Sequence, residues 1–149
     1  MRFIIFSIFI VFLTFTSCEN TKILNDNNLK LVRMEMSTLG NASLLEINGD
    51  QILMKTRERD GSREGKVNSS TKTDTKVWRE VLQILSKMDL NQFENWPAPT
   101  DKRLYDGARA VTITLETSEG NIVALPFDEG EPPVQMKELY EFLVSVENQ

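Results

Sequence analysis

Ala110-Val111-Thr112-Ile113-Thr114-Leu115-Glu116-Thr117 decides the fold, because apolar Val111, Ile113 and Leu115 alternate with polar Thr112, Thr114 and Glu116. A period of two sends the first set to one side of a pleated strand and the second to the other, as in an antiparallel sheet with one wet face. Ser118-Glu119-Gly120-Asn121 follows as a turn, and residues 122–127 return as the hairpin partner. Upstream, residues 31–37 repeat the alternation, with Val32, Met34 and Met36 against Arg33 and Glu35. Residues 43–47 and 52–59 form a further hairpin around Asn48-Gly49-Asp50-Gln51, since Asn-Gly between apolar runs favours a tight reversal. Its inward face carries Leu45, Ile47, Ile52 and Met54. Residues 55–59 hold no apolar side chain and read as a protruding arm that Asp60-Gly61-Ser62 turns back. A third strand over 66–72 has Val67 as its single apolar residue.

Elsewhere the period lengthens. Val77, Trp78, Val81, Leu82, Leu85 and Met88 recur at three- and four-residue spacing, which predicts an amphipathic helix over 74–88 capped by Thr73 or Asp74. Pro97-Ala98-Pro99-Thr100-Asp101 then starts a loop lasting to about Gly107. Pro132 and Pro133 suit the first turn of a last helix, along which Met136, Leu139, Tyr140, Leu143 and Val146 repeat. Strands, helix, strands, helix is an α+β order. It predicts a ββαββα layout, an antiparallel sheet of two hairpin groups with both helices packed on one face, within a single domain over 29–149.

The N-terminus predicts an address. Arg2 precedes an apolar run over 3–15, too short for the roughly 20 residues that span a bilayer as a helix, and small Thr16 and Ser17 stand just before Cys18. That arrangement resembles the lipobox of bacterial lipoproteins. The resemblance implies a signal peptide over 1–17, cleavage before Cys18, and lipid on its thiol that attaches the protein to the membrane of the cell envelope. Phe15 departs from the usual leucine. Residues 18–28, rich in Asn and Asp, read as a flexible tether. Cys18 is the one cysteine of the chain, so the domain is expected to rely on its hydrophobic core rather than on an internal disulfide.

Charge narrows the function. The chain carries 17 basic and 22 acidic side chains, a formal balance of −5. A nucleic-acid binder needs a basic face, so no nucleic-acid partner is expected. There is no histidine. The commonest general base and the commonest zinc ligand are therefore missing, and no G-x-S-x-G or phosphate-cradling glycine motif takes their place. Neither a cofactor nor a catalytic residue is expected. Asp101, Asp106, Asp128, Glu129 and Glu131 flank the second hairpin and read first as soluble turn residues; as a pair in one cleft they would serve a carboxylate-dependent hydrolase. Trp96 and Tyr105 frame the proline loop, Trp96 either closing the core or offering a contact surface. Arg57, Trp96, Tyr105, Asp106 and Asp128 are the candidate binding-surface residues.

Tyr105-Asp106-Gly107-Ala108 and Phe127-Asp128-Glu129-Gly130-Glu131-Pro132-Pro133, followed by Leu139, are similar to the pattern of small, uncharacterised Bacteroidota lipoproteins. The likeness covers about residues 29–147 and implies an envelope-attached domain with no transferable active site. Three functions are carried forward: a non-catalytic binding or accessory module for an envelope protein or extracellular ligand, a carboxylate hydrolase, and an inhibitor or immunity-like protein.

Overall fold

Alternation along the chain becomes rows across a sheet. Val32 pairs with Ile47 on one side and Leu115 on the other, and Met34 pairs with Leu45 and Ile113, so each row places three apolar side chains abreast. All six are at most 1% exposed. The strands involved are β1 (Leu29–Ser37), β2 (Asn41–Ile47) and β5 (Ala110–Thr117); β3 (Gln51–Glu58) and β4 (Lys66–Lys72) extend the sheet beyond β2. On the far side, β6 (Asn121–Val123) and β7 (Phe127–Asp128) share the outer edge of β5. The order is β4-β3-β2-β1-β5-β6, antiparallel throughout. The computed structural model describes residue 24, residues 28–58 and residues 66–148. The expected signal peptide, Cys18, most of the 18–28 tether and the reversal at Asp60-Gly61-Ser62 lie outside the described residues.

Two helices close the apolar side. In α1 (Thr75–Leu85), Trp78, Val81, Ile84 and Leu85 are buried, and the Asp74 carboxylate caps the helix by accepting from the Lys76 N–H at 2.8 Å. The Trp78 indole lies against Gly49 in the turn between β2 and β3. In α2 (Lys137–Glu147), Leu139, Tyr140, Leu143 and Val146 are buried in the same cluster. The other side of the sheet is a ladder of ion pairs. Arg33 reaches Glu46 and Glu116, both at 2.9 Å, Lys55 reaches Glu46 at 2.5 Å, and Arg57 pairs with Glu35. Burial alone would raise the Glu46 carboxyl, but the hydrogen bonds and charges of Lys55 and Arg33 outweigh it and hold Glu46 below its ordinary value.

Several expectations need correction. The α+β class stands, but four described strands precede α1 and three follow it, so the layout is not ββαββα. The strand expected over 66–72 does form, as β4, although all seven of its residues are exposed, its ladder with β3 substituting for a buried face. Residues 55–58 do not protrude: they pair with β2 as far as Asn41↔Glu58. Leu24, placed in the tether, is 7% exposed and joins the core, so one side chain of that stretch belongs to the domain. Helix α1 stops at Leu85, short of Met88, and α2 begins at Lys137 after a 3-10 turn over Val134–Met136 that follows Pro133. The reversal at 48–50 uses no left-handed residue; instead the Asn48 side-chain oxygen accepts from the Asp50 and Gln51 N–H groups, each at 2.8 Å.

The expected strand over 122–127 is broken in two. Thr114 faces Val123, yet Val111 faces Phe127, so the return strand gains one residue between these pairs. Pro126 lies in that gap and cannot donate to a ladder, which explains a bulge there. The extra residue leaves Phe127 inward at 0% exposure, and alternation sends Asp128 to the opposite side.

Candidate binding surface

Asp128 holds the proline loop. Its Oδ2 accepts from the Thr100 hydroxyl at 2.6 Å and the Lys102 N–H at 2.7 Å; its Oδ1 accepts from the Arg103 N–H at 2.9 Å and the Arg103 guanidinium at 3.2 Å. The same guanidinium donates to the Thr100 carbonyl at 2.8 Å. Two of these donors are backbone groups of the 3-10 turn Lys102–Leu104, so a carboxylate from a distant strand serves as its cap. Burial would raise the Asp128 carboxyl, but the bonds from Thr100 and Arg103, with that from the Lys102 N–H, pull it from 3.8 to about 2. It is ionised throughout the neutral range.

The rest of the loop is tied at both ends. Trp96 is 9% exposed and stands 5.7 Å from Phe93, ring centre to ring centre, which seats the start of the loop in the core. Beyond it, Gly107 takes the left-handed conformation at φ 70°, and the Glu129 N–H donates to the Arg109 carbonyl at 2.9 Å. The turn after β7 is fixed by the Gly130 N–H, which donates to the Tyr140 hydroxyl at 3.0 Å. Tyr140 meets Phe127 edge-on at 5.4 Å. Lys102 also reaches Glu131 across 3.8 Å.

This framework holds apolar groups out in water. Leu104 is 74% exposed and Tyr105 73%, while Leu125 and Val134, on segments beside the Asp128 anchor, are 46% and 85% exposed. Beside them runs a cleft of about 480 Å³ lined by Pro97, Ala98, Pro99, Thr100, Asp101, Arg103, Leu125 and Pro126. Asp101 raises the Tyr105 phenol above its ordinary value, chiefly by its charge and also by a hydrogen bond, and the charges of Asp106 and Asp128 add to the effect. The loop tip is therefore electronegative.

The five candidate residues divide. Tyr105 and Asp106 are exposed at the loop tip. Trp96 is core, its ring enclosed against Phe93, and Asp128, at 1% exposure, is an internal anchor rather than a contact residue. Arg57 lines a different cleft of about 360 Å³, together with Met36, Thr38, Asn41, Ser43, Thr56 and Arg109. There Arg109 is engaged by Glu129 at 3.1 Å and by the Ser43 hydroxyl at 2.8 Å. Sequence reasoning missed Leu104, Leu125 and Arg103. Leu104 carried a signal, being a large apolar residue with no periodic partner between Pro99 and Gly107; Arg103 carried none. Among the described residues no group of three or more Asp, Glu or Cys is placed to hold a metal ion, and no helix is long and apolar enough to cross a membrane. No protein-family model, curated protein or solved structure matches the chain.

Proposed function

We propose that this chain is a non-catalytic binding module, attached to the bacterial envelope through lipid on Cys18, that meets its partner with the proline loop. The observation carrying this reading is exposure combined with anchoring. Leu104 and Tyr105 stand about three-quarters exposed on a loop that four hydrogen bonds, two of them from its backbone, tie to Asp128. A contact group already held in place loses little further freedom on binding, and exposed large apolar groups favour association. A carboxylate hydrolase has less support. Asp128 is buried and held ionised near neutral pH, so it is poorly suited to donate a proton or reach a substrate.

Two experiments test the two halves of the proposal. A photo-reactive residue placed at Leu104 in the full chain is expected to form adducts with an envelope component in living cells, whereas the same residue at Val67 on exposed β4 forms none. Equal labelling from both sites, or none from Leu104, refutes the binding surface. For the attachment, Cys18→Ser is expected to release the chain from the membrane fraction with the loss of the lipid mass; retention at unchanged mass refutes it.

A further inference from the structure

The charge around the proline loop narrows the chemistry of the partner. Both cations of the 3-10 turn are spent within the domain, Arg103 on Asp128 at 3.2 Å and Lys102 on Glu131 at 3.8 Å. Asp101 and Asp106 are exposed, and neither forms an ion pair among the described residues. Asp101 lines the cleft together with Pro97, Ala98, Pro99, Thr100, Leu125, Pro126 and Arg103, whose guanidinium is held by Asp128 and the Thr100 carbonyl. A mixed cleft with proline walls thus carries one carboxylate outside any ion pair, Asp101, close to the exposed Tyr105 ring.

We infer that this groove takes an extended segment of a partner protein bearing lysine or arginine, with the aliphatic stem against the prolines and the cationic head toward Asp101, Asp106 and the Tyr105 ring. The inference rests on the binding-module reading and adds the partner's chemistry to it. Lysine and arginine join three or four methylenes to a charged tip, which suits proline walls with Asp101 among them. A tyrosine face also attracts a cation within about 6 Å of its centre. The other occupants fit less well. A second copy brings a chain of net charge −5 against the same acidic tip, and anionic lipid or nucleic acid is repelled by it.

The test uses the full isotope-labelled chain in mild detergent and three ten-residue peptides in which alanine alternates with lysine, glutamine or glutamate. The lysine peptide is expected to shift the amide signals of Ala98, Tyr105 and Leu125 and to bind about tenfold more tightly than the glutamine peptide at 50 mM NaCl. Most of that advantage should vanish at 500 mM NaCl, because salt at that level screens exposed charges within about 5 Å. Asp101→Asn combined with Asp106→Asn should bring the lysine peptide down to the glutamine level. Tyr105→Leu, which keeps the apolar area, should weaken it about two- to fivefold. Equal binding of the lysine and glutamine peptides, or unchanged binding by the double variant, overturns the cationic partner and leaves the binding module standing. Silence at Ala98, Tyr105 and Leu125 with all three peptides overturns it too; if adducts from position 104 are also missing, both readings fall.

Discussion

Phe93→Ala strikes the point where the core meets the proline loop. The ring is 0% exposed and sits 5.7 Å from Trp96 at an interplanar angle of 57°. Truncation loses the burial of the ring and leaves a cavity that the sheet and helices cannot fully close, a cost of about 3–5 kcal/mol. Of this, about 0.5–1.5 kcal/mol belongs to the aromatic pair itself. A domain of this size has roughly 5–15 kcal/mol in all, so the substitution removes a large share. Urea titration followed by tryptophan fluorescence should show a lower midpoint at an unchanged slope, and the melting temperature should fall by about 10–25 °C. The folded baseline should also shift to the red, because Trp96 is one of the two tryptophans in the chain and loses its neighbour. A loss below about 1.5 kcal/mol would mean that position 93 is open to water or able to collapse, and the account of how the loop is seated would be wrong.

Asp128 gives a pH signature. Its folded value of about 2 lies below the ordinary 3.8, so its contribution is fully present above 3.8 and is lost as pH falls through about 2. Asp128→Asn should lower stability at neutral pH and flatten the unfolding profile between pH 4 and 2; an unchanged profile refutes the anchor. Glu147 has the opposite sign. Burial raises its carboxyl, the charge of Arg109 lowers it and that of Glu129 raises it, with a net rise above 4.5, so ionising it opposes folding. Glu147→Gln should therefore melt higher than the parent at pH 7 and no higher at pH 3. Tyr140→Phe removes the acceptor for the Gly130 N–H and should cost about 1 kcal/mol by urea titration, with enhanced amide exchange at Gly130.

How far the sequence could be read depended on where each side chain's partners lie. β1, β5, α1 and α2 were legible because one face of each is buried by many neighbours, which imposes a period on the residues themselves. β4 was barely legible for the converse reason: with every residue exposed, it is held by pairing to β3, and backbone pairing leaves little mark on side-chain type. The loop tip was legible at Tyr105 and Asp106. Asp128 was misread as a surface residue because carboxylates usually are, whereas its donors come from residues 25 to 28 positions earlier in the chain. No local pattern announces such an arrangement. Trp96 had two readings, and the choice between them turned on the position of Phe93, which spacing alone did not fix.

The added residue ahead of Phe127 gives one short stretch of this chain a spare position. Thr114 faces Val123 and Val111 faces Phe127, so the return strand takes four steps where β5 takes three, and deleting Pro126 would leave an even ladder with Phe127 still opposite Val111 and Asp128 still opposite Ala110. The phenyl ring would stay between sheet and helices, and the carboxylate would stay with the loop. Length can therefore be lost at this one point without turning the strand over, whereas a deletion inside the regular ladder of β1 or β5 would send every later side chain to the wrong side.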